Sequence, residues 1–263
     1  GFCLSAVLIP MLGILAYARL QGTMYEFGRK VSPGFSLAFC YLIYAVAISL
    51  PAPRTASVTH EMAVAPYLEV PSLLTSFLYF GLVFVFVLNR SRLSSLIGKW
   101  LSPMILLVLI LLIGTITLGS DAGPGTSLLE HPFAAGILEG YQTFDAIGAV
   151  VAGGVIFVSL RMEHPGLGRN QRFRAVSAAG VLAGGGLALL YAGLILSGAM
   201  ARDPLGVGHS RTEFLGAMSE WALGEGGRFL LSLLIALACF TTAVGIVAGT
   251  ADFVKSRFGD RVR

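Results

Sequence analysis

The stretch FAAGILEGYQTFDAIGAVVAGGVIFVSL, Phe133–Leu160, decides how the rest of the chain is interpreted. It is long and apolar enough to cross a bilayer, which takes about 20 residues. Its first half nevertheless carries a run of charged, polar, small and aromatic residues: Glu139, Gly140, Tyr141, Gln142, Thr143, Phe144 and Asp145. Such a run is costly in hydrocarbon unless it is buried in protein or lines a site. The pattern predicts a membrane helix that is broken at this run, with a binding site at the break.

The composition indicates that the whole chain lies in a membrane. Of its 263 residues, 56% are hydrophobic and only 12% are charged, whereas a soluble domain carries roughly 25% charged residues. The net charge of +4 does not indicate nucleic acid, because the basic residues lie in short loops, where they orient membrane proteins. We therefore expect an all-α polytopic membrane protein, a single transmembrane domain over residues 1–263 that contacts the lipid bilayer.

Seven apolar spans alternate with loops along the chain. They are Gly1–Ala18, Gly34–Val64, Ser72–Leu88, Leu101–Leu118, Phe133–Leu160, Ala175–Met200 and Phe229–Phe253. Most of the 18 lysines and arginines fall in the loops after the first, third and fifth spans and in the tail, and loops 61–71 and 119–131 contain none. The positive-inside rule then predicts that the chain begins outside the membrane and ends in the cytoplasm. The long loop before the last span is expected to hold an amphipathic helix around Glu213–Leu223.

A second polar cluster lies within the last span, in the sequence Ala238-Cys239-Phe240-Thr241-Thr242. Two adjacent hydroxyls and a backbone carbonyl one turn earlier can offer oxygen ligands to a hard cation. The alternative is that both threonines hydrogen-bond back to carbonyls one turn earlier, which is common in membrane helices. The residues alone leave both interpretations open.

A third cluster, Pro51-Ala52-Pro53-Arg54-Thr55, lies toward the outer end of the second span. Proline inside a membrane helix kinks it and frees backbone carbonyls. The Arg54 side chain can extend to the interface, pair with Glu139 or Asp145, or meet a carboxylate substrate. We treat Arg54 and Glu139 as structural or gating candidates.

Catalytic signatures are absent from the sequence, so no enzyme and no organic cofactor are expected. His60-Glu61 lacks the second histidine of HExxH, there is no GxSxG, and the three cysteines show neither CxxC nor metal spacing. The seven spans also fit a membrane receptor or binding protein. A retinal protein is excluded, because a Schiff base needs a lysine within a helix and all three lysines lie at loops or span ends.

Three motifs carry a resemblance to a known family. PAPRTASVTHEMAVAP (51–66), LEGYQTFDAIGAVVAG (138–153) and LACFTTAVG (237–245) together resemble the branched-chain amino acid:cation symporters, the BrnQ-type carriers. The resemblance covers essentially the whole chain. Members of that family are bacterial inner-membrane carriers for leucine, isoleucine and valine, driven by Na⁺ or H⁺. The family is similar to the LeuT-like transporters, in which five helices are followed by five inverted ones.

The resemblance implies a division of the chain into parts of two repeats. Residues 1–118 would hold the last four spans of the first repeat. Residues 133–263 would hold the first three spans of the second repeat, which begins with the broken helix. The chain starts at Gly1 without a methionine, so we expect a partial chain that lacks the family's first helix and last helices and does not transport alone.

The resemblance also assigns candidate site residues. Gly140–Asp145 would bind the amino acid, and Tyr44 and Ser49 in the second span are weaker candidates. Ala238, Thr241 and Thr242 would be Na⁺ ligands. Paired hydroxyls favour sodium, whereas Asp145 can carry a proton, so the sequence leaves both coupling ions open and gives no oligomeric state.

Overall fold

The structure, a computed structural model, describes residues 1–88, 93–119, 130–150, 153, 156, 160, 164, 166–205 and 210–258. All of the elements that it describes are helical. They are α1 (Ile9–Leu20), α2 (Met24–Gly28), α3 (Pro33–Ser49), α4 (Pro51–Thr59), α5 (Ser72–Leu88), α6 (Leu93–Gly119), α7 (Pro132–Tyr141), α8 (145–150), α9 (Arg169–Leu205) and α10 (Arg211–Phe258), with π-helical turns at Leu4–Leu8 and His60–Val64.

The described helices are those of a polytopic membrane protein. Four are long and apolar enough to cross a bilayer: Pro33–Val64, Trp100–Gly119, Arg169–Ala201 and Arg211–Lys255. Leu4–Leu20 and Ser72–Leu88 are apolar but shorter. The fifth predicted span extends beyond the continuously described residues, so the count of seven spans stays a prediction.

The chain forms two compact units, and each takes one segment from each half of the sequence. The first combines Gly1–Ala47 with Ser127–Ala192, and the second combines Ile48–Thr126 with Gly193–Arg263. The units therefore alternate along the chain. The predicted repeats, 1–118 and 133–263, are consecutive in sequence, whereas the compact units are defined by contacts in space. The division into repeats therefore stays a prediction.

The second predicted span is interrupted where its prolines begin. Helix α3 ends at Ser49, and Leu50, the residue before α4, has φ −111° and ψ −65°. Pro51 opens α4 at its first position, where the missing N–H is not needed. The π-helical turn His60–Val64 then completes the span, and turns of this type are frequent at functional sites.

Helix α10 contains two segments separated at Gly224, which has φ +74° and ψ −178°. Only glycine adopts that conformation readily. The first segment, 211–223, confirms the helix predicted around Glu213–Leu223. The second runs to Phe258 and carries the threonine cluster. Buried apolar side chains pack both segments with α6 and the end of α9: Leu101, Val108, Leu112, Ile116, Met200, Ala201, Met218, Leu231 and Leu234.

Candidate functional site

The polar run of the fifth predicted span coincides with an interruption of the helix in the first unit. Helix α7 ends at Tyr141, and α8 begins at Asp145. Between them, Phe144 has φ +60°. The left-handed region costs a residue with a side chain roughly 1–2 kcal/mol. This backbone is therefore held by its surroundings and not by its intrinsic preference.

Local hydrogen bonds close the interruption. The Thr143 hydroxyl donates to the Gly140 carbonyl at 2.7 Å, and the Phe144 N–H donates to the Tyr141 carbonyl at 3.4 Å. The Gly148 N–H then donates to the Phe144 carbonyl at 3.0 Å, which starts the next helix. The interruption is thus a short, ordered turn between two half-helices.

The first half-helix is fixed to the start of the chain. The Ser5 hydroxyl donates to the Ile137 carbonyl at 2.8 Å. Gly140 is buried, and a Cβ built on it would lie 2.5 Å from the Phe2 carbonyl oxygen and would also overlap Ser5 Oγ. Only glycine permits this approach of two backbones.

The second half-helix is fixed through α9. The Tyr191 hydroxyl donates to Asp145 Oδ2 at 3.0 Å. The ring of Tyr191 meets the ring of Phe2 edge-to-face, with centroids 4.9 Å apart. Phe2 therefore contributes to both anchors, by its carbonyl beside Gly140 and by its ring against Tyr191.

The predicted substrate residues differ in exposure. Tyr141 and Gln142 are exposed, whereas Thr143, Phe144 and Asp145 are half-buried. Glu139 is half-buried on α7, and Tyr44 is half-buried on α3 in the same unit. Ser49 and Arg54 are exposed and belong to the second unit.

The predicted cation ligands lie together in the second unit, on α10. The Thr241 and Thr242 hydroxyls both donate to the Ala238 carbonyl, each at 2.9 Å. Three oxygen atoms thus share one side of the helix. These bonds match the alternative in which the threonines donate to a carbonyl of their own helix. They are also compatible with a cation site, because each hydroxyl retains lone pairs.

A further polar cluster joins α4 to α5 in the second unit. Tyr79 donates from its hydroxyl to Thr55 Oγ1 at 3.0 Å, and Thr55 donates to the Ala52 carbonyl at 2.6 Å. Thr59 donates to the Thr55 carbonyl at 2.8 Å, and the Tyr79 ring meets the Phe240 ring of α10 edge-to-face, with centroids 6.0 Å apart. The cluster therefore adjoins the threonine-bearing segment of α10.

Sequence reasoning missed Tyr191 and Tyr79. Both stand in apolar runs, LALLYAGL and SFLYFGLV. A tyrosine hydroxyl within an apolar helix needs a hydrogen-bond partner. The two tyrosines therefore indicated that each helix contacts a polar group. The identity of that group depends on tertiary packing.

Comparison with known proteins adds to this geometry. The family described as branched-chain amino acid transport protein matches residues 1–262. The chain belongs to this family. The branched-chain amino acid transport system 2 carrier protein of Pseudomonas aeruginosa is 34% identical over 261 residues, covering 96% of this chain and 59% of its own length. The branched-chain amino acid permease BrnQ of Bacillus subtilis is 29% identical over 268 residues, covering 98% of this chain and 61% of its own length.

These relatives are transport proteins, not enzymes. The BrnQ permease of Corynebacterium glutamicum is also 29% identical, and this chain covers 59% of its length. The chain therefore spans about three-fifths of the curated relatives that it matches. No solved structure shows a significant match to it.

Proposed function

We propose that the chain is part of a secondary transporter that carries leucine, isoleucine and valine across the bacterial inner membrane together with Na⁺ or H⁺. The observation that carries the proposal is the interrupted helix between Tyr141 and Asp145, in a family whose relatives are named as branched-chain amino acid carriers. Interrupted helices in transporters leave backbone groups free to bind charged substrate groups and ions.

The interruption supplies the groups that a branched-chain amino acid needs. In the proposal, backbone groups from Gly140 to Thr143 serve the charged ends of the substrate, which replaces local bonds such as the one from Thr143 to the Gly140 carbonyl. Tyr141 and Phe144 form apolar walls for its side chain. Asp145, half-buried at the start of α8, either binds the substrate ammonium or orients the turn. An ionisable residue inside a membrane span is by default a functional candidate.

The oxygen cluster on α10 supports a coupling ion. The Ala238 carbonyl and the hydroxyls of Thr241 and Thr242 are hard ligands, and they lie around one point of the helix. Hard cations prefer such oxygen ligands. In the proposal this cluster contributes part of a Na⁺ site, and Asp145 is the proton carrier if H⁺ drives uptake.

Two bodies that alternate along the sequence support a LeuT-like inverted-repeat fold. Each unit draws one segment from each predicted repeat, as expected if corresponding parts of two repeats assemble together. In the proposed topology the chain has seven spans, begins outside and ends in the cytoplasm.

The test uses the full-length transporter that contains this segment, reconstituted in liposomes. Leucine uptake is measured with a sodium gradient, with a pH gradient and with neither. The proposal expects leucine uptake that depends on one of the two gradients. Isoleucine and valine should compete with leucine for this uptake, and lysine should not. Uptake that is independent of both gradients overturns symport.

A matched pair of variants tests the ion site. Thr242→Val removes one proposed ligand, whereas Thr250→Val removes a hydroxyl with the same kind of bond, 2.8 Å to Ile246, elsewhere on α10. We expect Thr242→Val to raise the Na⁺ concentration for half-maximal uptake about 10-fold or more, and Thr250→Val to leave it unchanged. Equal behaviour of the two variants refutes the assignment.

A further inference from the structure

We propose that Tyr191 is a positioning residue for the transport site: its hydroxyl holds Asp145 and thereby sets the angle between the two half-helices. This inference rests on the proposed function. It adds a residue on α9, 46 positions away in sequence, that the polar run does not reveal.

The first step of the argument is the strain at the interruption. Phe144 occupies the left-handed region at φ +60°, so the turn needs contacts on both sides to persist. On the side of α7, Ser5 and Gly140 provide them. On the side of α8, the Tyr191–Asp145 hydrogen bond at 3.0 Å ties the first residue of that helix to α9, and further along the helix Ala149 is buried beside Gly13 of α1.

The second step is the rigidity of Tyr191 itself. Its ring packs edge-to-face on Phe2 at 4.9 Å, and Phe2 also lies beside Gly140. The ring that carries the hydroxyl is therefore held by Phe2, the same residue that contacts the first half-helix. The segment Phe2–Ser5 thus contacts the first half-helix directly and the second through Tyr191.

The third step is the chemistry of the pair. A phenol is a neutral donor, so it orients the carboxylate without cancelling its charge. A basic partner would neutralise the carboxylate and compete with the ammonium group of an amino acid. Tyr191 bonds Oδ2, and because a carboxylate has about four lone-pair sites, this one bond leaves capacity for a cationic group.

The experiment measures the turn itself as well as transport. A cysteine replaces Thr143, which is half-buried, in a cysteine-free full-length transporter, and its rate of reaction with a water-soluble thiol reagent is recorded. Tyr191→Phe, which keeps the ring, is expected to raise this rate several-fold. A cysteine at exposed Gly166 is the control and should react at an unchanged rate.

A double-mutant cycle separates positioning from general structural damage. If Tyr191 acts through Asp145, Asp145→Asn also raises the labelling rate at Thr143→Cys, and adding Tyr191→Phe to it has no further effect. In uptake assays Tyr191→Phe should raise the leucine KM roughly 10-fold, as loss of a hydrogen bond to a charged group does, with little change in maximal rate.

Two results overturn the inference: an unchanged labelling rate in Tyr191→Phe, or rate increases that multiply in the double variant. Phe2→Leu provides a second variant that keeps the hydroxyl but loosens the ring, and it should give a smaller increase that also vanishes with Asp145→Asn. The labelling result stands without transport. Absence of leucine uptake in the unmodified transporter would therefore count against the proposed function and not against the role of Tyr191.

Discussion

Replacing Gly140 with alanine should destabilise the protein, because no space exists for a methyl group there. The added carbon would lie 2.5 Å from the Phe2 carbonyl oxygen, whereas carbon–oxygen contacts normally begin near roughly 3.3 Å. The helix or the start of the chain must therefore move by about 0.8 Å, the difference between these two distances. Overpacking of this kind costs about 1–3 kcal/mol.

Helix propensity opposes this cost only in part. Glycine-to-alanine exchange within a helix stabilises it by roughly 0.5–1 kcal/mol. The net expectation for Gly140→Ala is a loss of about 0.5–2 kcal/mol. Gly148→Ala is the matched control on the other half-helix, since nothing lies within 4 Å of its built Cβ, and it should be neutral or stabilising.

The assay is thermal unfolding of the purified full-length transporter in detergent, with leucine uptake recorded in parallel. Gly140→Ala should lower the apparent melting temperature by a few degrees, and Gly148→Ala should hold or raise it. If both variants raise the melting temperature equally, Gly140 does not approach Phe2 closely in the folded protein. The claim that this contact fixes the first half-helix is then refuted.

Other expectations concern the second unit. Gly224→Ala should cost about 1–3 kcal/mol, because φ +74° with ψ −178° is nearly restricted to glycine, whereas Gly226→Ala meets nothing within 4 Å and should melt like the unmodified protein. Tyr79→Phe should cost about 1 kcal/mol through loss of its hydrogen bond to Thr55, again measured by thermal unfolding. Arg228→Gln removes an ion pair that is partly exposed, so its effect should stay below about 1 kcal/mol and shrink further in high salt.

The parts of the site that follow from residue order were predictable. Ser72–Leu88 is helical throughout and begins at the predicted residue, because the apolar run follows Pro71 directly. The helix around Glu213–Leu223 followed from its amphipathic pattern. The helix also stops at Tyr141, where the polar run lies.

Features that depend on packing between helices were not predictable. Tyr191 and Asp145 are 46 residues apart, and nothing local in either segment selects the other as its partner. Gly140 and Gly148 look alike in sequence, yet one is enclosed by backbone and the other faces open space. The alternation of the two units along the chain likewise requires knowledge of which helices pack together.

The central claim is that the interruption between the two half-helices binds the transported amino acid. Its most direct test is substrate protection at Gln142, an exposed residue of the interruption. In a cysteine-free full-length transporter bearing Gln142→Cys, saturating leucine should slow the reaction of that cysteine with a water-soluble thiol reagent, and lysine should not. A labelling rate that leucine leaves unchanged, in a transporter that still takes up leucine, would contradict the claim.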